Sequence, residues 1–282
     1  MKKTKEELSL QIDQAVAGDK AALEEVILSV RDMIFNLSLR MLGTFPDAED
    51  ATQDIILKIM KNLSSFKKES AFSTWVFRIA VNYLINYKKH LFFQRPLNFE
   101  FYGNDIQNAK IGEVPDLTME VDKSILAEEL KLSCTNVMLQ CLDMESRCIF
   151  VLGTMFRVDS RIAGEILGIT PEAYRQRLSR VRRTMADFLS EYCGEYGCGK
   201  CHCRDRINYA VKSRRLNPSA LEYTEAKELS REKLLQFKDA MEQIDDLSAQ
   251  FSFCRTYESP EKLKQLIKNI LESEALSTVK NA

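Results

Sequence analysis

Histidine is nearly absent: His90 and His202 are the two in 282 residues. A histidine general base is therefore poorly provided for, although carboxylates could serve. The chain also lacks a glycine-rich phosphate loop and any recognisable nucleophile arrangement, which leaves an enzyme reading little support. No run approaches the roughly 18 apolar residues that a membrane span requires. The opening MKKTKEELSL has no apolar secretory core, so the expected location is cytoplasmic. Excess positive charge is lacking too: 40 Lys and Arg stand against 41 Asp and Glu, for a formal net charge of -1. Any contact with nucleic acid must then come from local basic faces balanced by acidic surface elsewhere. There are no convincing alternating strands, low-complexity segments or clear repeats. In a reducing compartment the eight cysteines are expected to be free thiols or metal ligands, not disulfides.

What is present is helical periodicity. Apolar residues recur every three or four positions, and the expected fold is all-α: two small helical domains joined by an acidic linker, with a helical C-terminal extension. The divisions fall at 1–95, 96–122, 123–192 and 193–282. The first block breaks near Gly18-Asp19, at Gly43-Thr44-Phe45-Pro46 and around Lys67 to Ser70. Pro46 followed by Asp47, Glu49 and Asp50 suits a helix start, since proline tolerates the first turn and acids favour the positive dipole end. Residues 96–122 hold Pro96, Gly103, Gly112 and Pro115, with Glu100, Asp105, Glu113, Asp116, Glu120 and Asp122 against Lys110 alone. That composition predicts a poorly structured segment.

In the second block, Ser160 to Pro171 reads as a short helix, a glycine turn and a new start. Gly168 fits a left-handed position after the helix, Thr170 can cap the next one, and Pro171 fits its first turn. The following helix carries Arg175, Arg177, Arg180, Arg182 and Arg183 against Glu172, while Tyr174, Leu178, Val181 and Met185 face a core. Such a helix, with arginines beside its N-terminus, suits reading of the major groove. A solvated basic helix is the plainer alternative.

The first block joins two distinctive segments. DAEDATQD (47–54) sets carboxylates and Gln53 on a helix whose apolar side is Ile55, Ile56, Ile59, Met60 and Leu63. FKKESAFSTWVFRIAVN (66–82) mixes aromatics with Lys67, Lys68 and Arg78, followed by Lys88 and Lys89. Rings can stack on unpaired bases while cations follow phosphate. Aromatics at this spacing more often pack a core, and Phe72 and Trp75 are expected to be largely core.

In this order, with a linker and then a helix-turn-helix, the pieces closely resemble the extracytoplasmic-function (ECF) sigma factors over about residues 10–190. The resemblance makes the first block region 2 and the second region 4. It implies that Asp47, Glu49, Asp50, Gln53 and Asp54 form the surface docking on the β′ clamp helices of core RNA polymerase. It implies a −10 reader built of Phe66, Lys67, Lys68, Phe72, Arg78 and Asn82, with a pocket for a flipped base. Region 4 would read −35 DNA through Arg175, Gln176, Arg177, Ser179 and Arg180 and meet the β flap. The linker would thread the polymerase's RNA channel, and an anti-sigma partner is allowed. A helix-turn-helix regulator of duplex DNA with a metal- or redox-responsive extension is the competing reading.

The extension departs from that pattern. Cys193, Cys198, Cys201, His202 and Cys203 lie within eleven positions, enough for a tetrahedral zinc. Structural zinc at Cys193, Cys198, Cys201 and Cys203, a sensory site, and reduced thiols in a glycine-rich turn all remain open, and no cofactor is required. Cys134, Cys141 and Cys148 are expected to be core thiols. Arg204, Arg206, Lys212, Arg214 and Arg215 form a basic stretch, more simply a solvated face than a DNA contact. Amphipathic stretches at 223–252 and 260–273 are expected to pack on the earlier regions, and the extension is expected to regulate the chain in cis.

Overall fold

The structure, a computed structural model, describes residues 5–87, 97–109, 116–196, 199–226 and 255–272. It is all-α. Its helices are α1 (Lys5–Ala17), α2 (Lys20–Leu42), α3 (Phe45–Asn62), α4 (Phe72–Tyr87), α5 (Phe99–Asn108), α6 (Lys123–Cys141), α7 (Met144–Phe150), α8 (Ser160–Leu167), α9 (Pro171–Tyr192), α10 (Ile207–Lys212) and α11 (Glu261–Glu272). An isolated bridge pairs Cys193 with Cys201.

Local chemistry sets the helix ends. The Asp19 carboxylate accepts from the Ala21 and Ala22 amides at 2.9 and 3.1 Å, closing the free amino end of α2. Gly43, at φ +89°, ends α2 in the left-handed conformation and returns its N–H to Leu39 O at 2.8 Å. Thr44 then caps α3 through the Asp47 amide at 3.3 Å.

Helix α2 is the axis of the fold. Val26, Ile27, Ile34, Phe35, Leu37, Leu39 and Met41 are all sealed from solvent, in contact with α1, α3, α4 and α6. Each such side chain contributes about 1.5–3 kcal/mol of burial. The same helix also buries Arg31, Asp32, Asn36 and Arg40, which a helix enclosed on every side must pair with polar partners.

The two helical blocks share one apolar cluster. Phe77 of α4 meets Phe156 edge to face, with ring centroids 5.4 Å apart, and α4 lies against α7 and α8. Between α7 and α8 the chain makes a π-helical turn, Val151–Met155. Arg182 of α9 donates to Gly153 O and Thr154 Oγ1 there, at 3.0 and 3.1 Å.

A buried guanidinium holds the seam. Arg147 of α7 donates to Leu139 O at 2.7 Å, Met41 O at 2.6 Å, Gln140 Oε1 at 2.6 Å, Gln140 O at 3.1 Å and Leu142 O at 2.9 Å. These carbonyls belong to the ends of α2 and α6, where the helical ladder leaves acceptors without partners. Burial lowers the Arg147 pKa to about 10, so the group keeps its charge at neutral pH.

One expectation changes. Within residues 96–122, Phe99–Asn108 is a helix. Asn98 caps it through the Phe101 amide at 2.7 Å, and Phe99 and Tyr102 pack on Phe188 of α9 at 5.1 and 5.6 Å. Its acid Asp105 pairs inward with Arg215 at 2.9 Å and accepts from Tyr209 Oη at 2.6 Å. The aromatic face of this segment outweighs its acidic, glycine-containing composition. Pro96, Lys110, Gly112, Glu113 and Pro115 lie outside the described residues. So do Lys88, Lys89 and His90, and so do Leu234, Leu235, Phe237, Met241, Ile244, Leu247 and Phe251 of the stretch at 223–252.

The extension does reach back to the earlier blocks. Buried Glu129 accepts from the Glu222, Tyr223 and Thr224 amides at 2.7–3.1 Å. Helix α11 lies on α2 and α3 with Leu263 and Ile267 buried.

Replacing Arg147 by Met leaves buried carbonyls at two helix ends without a donor. The expected loss is about 3–5 kcal/mol, read as a lower urea midpoint. A loss below about 1 kcal/mol would show that water replaces the guanidinium.

Candidate functional site

The carboxylates of α3 lie on a ridge that is open on one side and closed on the other. Asp50 and Asp54 are exposed, while Asp47, Glu49 and Gln53 are half-buried. Asp47 accepts from Thr44 Oγ1 at 2.7 Å, and Asp54 accepts from the Tyr83 hydroxyl. Burial, and then the bond to Asp54, pushes the Tyr83 phenol well above its ordinary pKa. Burial and the nearby Asp47, Asp50 and Asp54 raise that of Tyr87. The open side of the ridge is thus bordered by two neutral tyrosines of α4. On the other side Glu49 is ion-paired with Lys262 of α11.

The 66–82 segment builds an aromatic cluster. Phe66, Phe72 and Trp75 meet with centroids 5.3, 5.5 and 5.8 Å apart. Phe66 and Trp75 are half-buried, but Phe72 is only 5% exposed. Phe72 therefore forms the floor of the cluster, the core position expected for it, and leaves little ring face for a −10 contact. Lys67 and Asn82 are exposed. Lys68 adopts φ 61° and reaches Asp13 of α1 at 2.5 Å, and Arg78 is ion-paired with Glu165 of α8.

The helix-turn-helix follows the local chemistry of its sequence. Gly168 sits at φ +69° with open space where a side chain would begin, and Thr170 accepts from the Ala173 amide at 3.1 Å. On α9, Arg175, Gln176, Ser179, Arg180 and Arg183 line one open hollow. Arg175 donates to Ser160 Oγ at 3.0 Å. Arg177 is turned off this hollow and is ion-paired with Glu145.

The cysteine knot is tight. Cys201 N donates to Tyr192 O at 3.1 Å and Gly194 N to Cys201 O at 3.0 Å. A Cβ on Gly199 would lie 2.0 Å from Tyr192 C, so only glycine fits. Cys198 lies outside the described residues. Cys141 and Cys148 are buried. Cys134 instead neighbours the knot: it interacts electrostatically with Cys193, Cys201 and Cys203, and it shares a hydrogen bond with Tyr102 Oη at 3.1 Å. As they stand, no three His, Cys, Asp or Glu side chains among the described residues are arranged to hold a metal ion.

The sequence reading missed Cys134 beside the knot, Glu165, Asp13 and Lys262 as partners of site residues, and Arg183 on the recognition face. Arg183 was readable, since it follows Ser179 and Arg180 at four- and three-residue spacing. The others depend on distant chain returning to the site.

With this geometry in place, the chain's likeness to known proteins is specific. The sigma-70 region 2 family matches residues 26–91, which contain α3 and the aromatic cluster. The ECF RNA polymerase sigma factor SigW of Bacillus subtilis is 28% identical over 181 residues, covering 64% of this chain and 96% of that protein. The ECF RNA polymerase sigma-E factor of Haemophilus influenzae is 28% identical over 149 residues, covering 48% and 78%. A solved structure of CnrH in complex with the cytosolic domain of CnrY aligns with a TM-score of 0.47 at 20% identity, covering 64% and 95%. The protein is an all-helical one that carries a sigma-70 region 2. More narrowly, its sequence is similar to those of ECF sigma factors over about two thirds of its length. No helix among the described residues is long and apolar enough to cross a membrane.

Burial pushes Cys203 up to about 12 and Cys134 up to about 11, because the thiolate would lose its hydration there. At pH 8 both thiols are protonated, so iodoacetamide should label them slowly in the native, metal-free chain and rapidly after denaturation. Fast native labelling would contradict this burial.

Proposed function

We propose that the chain binds core RNA polymerase, directs it to promoters and stabilises the melted start region, with no catalysis of its own. The observation that carries this is the open arginine face of α9, set on a capped helix-turn-helix in the same chain as a sigma-70 region 2. In this reading Asp47, Glu49, Asp50, Gln53 and Asp54 dock on the β′ clamp helices, and region 4 meets the β flap. Arg175, Gln176, Ser179 and Arg180 read the −35 duplex. Phe66, Lys67, Arg78 and Asn82 hold the unpaired −10 strand. Capturing the open strand shifts the duplex-to-open equilibrium by the differential affinity for the open form. RNA synthesis stays with the polymerase in the cytoplasm. An anti-sigma protein would regulate by covering these same faces.

Run-off transcription with core polymerase on a promoter library tests the proposal. The full chain should produce discrete start sites. Arg180→Ala should lower their use about tenfold, the size of one lost base contact worth about 1–3 kcal/mol. Output no greater than that of core polymerase alone would overturn the reading in favour of a duplex-DNA regulator.

A zinc ion at the knot is a second proposal, with Cys193, Cys198, Cys201 and Cys203 as ligands, supported by their closeness in sequence and by the bridge that brings Cys193 beside Cys201. Metal analysis should find zinc in the purified chain and none after Cys201→Ser. A zinc-free wild-type chain would overturn it.

A further inference from the structure

Helix α2 carries Asp32, Asn36 and Arg40 at four-residue spacing, a single polar stripe, and exposes only 8%, 1% and 4% of them. A stripe this buried is tolerated only if its groups are satisfied. All three bind the same short stretch of distant chain. Asn36 donates to Tyr257 O at 2.7 Å and accepts from Tyr257 N at 2.8 Å, pairing with that backbone as a neighbouring strand would. Asp32 accepts from Ser259 N at 3.1 Å and Ser259 Oγ at 2.8 Å. Arg40 donates to Arg255 O and, at 2.8 Å, to Asn136 Oδ1 of α6.

The segment is anchored by packing as well. The Tyr257 ring is fully buried, 5.5 Å from Phe45 at the start of α3, with the Arg40 guanidinium 5.9 Å from its centre. Arg255 pairs with Glu128 of α6 at 3.0 Å, so the same few residues bridge both helical blocks. Helix α11 follows at once, burying Leu263 and Ile267 against α2 and α3. It carries Lys262, Lys264 and Lys268, and Lys262 neutralises Glu49 at the closed edge of the carboxylate ridge.

We propose that residues 255–272 are a clasp that occupies one edge of the α3 docking ridge in cis and must lift for polymerase to bind. The inference rests on the reading of α3 as the docking helix. The chemistry is competitive: a partner that recognises this ridge must bring cations to the carboxylates, and Lys262 of α11 already does so at Glu49. The polar stripe makes the clasp specific, because Asp32, Asn36 and Arg40 recognise backbone at fixed positions. When the clasp lifts, the stripe becomes accessible to water and its hydrogen bonds are exchanged, not lost. The element is therefore suited to two states.

The test measures binding of the full chain to core polymerase for wild type, for Leu263→Asp combined with Ile267→Asp, and for Lys262→Glu, which alters a mostly exposed side chain and should leave the fold intact. If the clasp is closed in about nine molecules of ten, releasing it raises apparent affinity about tenfold. A peptide of residues 255–272 added to the double variant should reverse the gain. Unchanged or weaker binding by folded Lys262→Glu and double-variant chains, together with no effect of the peptide, overturns the clasp. Asp54→Lys, measured in parallel, isolates the underlying reading. If it fails to weaken binding, the docking role of α3 fails. If it weakens binding while clasp variants change nothing, the clasp alone fails.

Discussion

The protein depends on one buried cation. Arg147 places its guanidinium where α2 and α6 both end and supplies the donors that their last carbonyls lack. Without it, the two helical blocks would meet through a seam of desolvated acceptors. With it, α2 can be enclosed from all sides, and α4 can lie against α7 and α8. The carboxylate ridge, the aromatic cluster and the arginine face then occupy fixed positions on one body.

In that body several side chains of the proposed faces are engaged internally. Lys68 pairs with Asp13, Arg78 with Glu165 and Glu49 with Lys262. These are ion pairs between partly exposed groups, each worth at most about 1 kcal/mol, so they can yield to DNA phosphate or to a protein partner. The α9 hollow differs, since Arg180 and Arg183 form no ion pair among the described residues. The structure thus presents the arginine face of α9 openly and keeps parts of the faces proposed for region 2 in cis contacts.

The sequence made the helices and their caps legible because these are local chemistry. Asp19, Gly43, Thr44, Gly168 and Thr170 act within four residues of themselves, and each acts as its type suggests. The arginine face was legible for the same reason, because 3.6-residue periodicity places Arg175, Gln176, Ser179 and Arg180 together. Phe72 was legible as core from its spacing, but composition could not tell that Phe66 and Trp75 beside it are only half-buried. The helix at 99–108 was hidden by acids and a glycine that signal a loop, while its stability comes from Phe188 and Tyr192 some ninety residues away. The polar stripe on α2 was illegible for the same reason, since Asp32, Asn36 and Arg40 resemble a solvated face until residues 255–259 return to meet them.

Hydrogen exchange of the full chain, alone and bound to core polymerase, tests most directly whether one ridge serves two occupants. Bound chain should show slower exchange in α3 and faster exchange at the amides of Tyr257, Ser259 and Leu263. Unchanged exchange in α3, or continued protection of those three amides in the complex, would contradict the account.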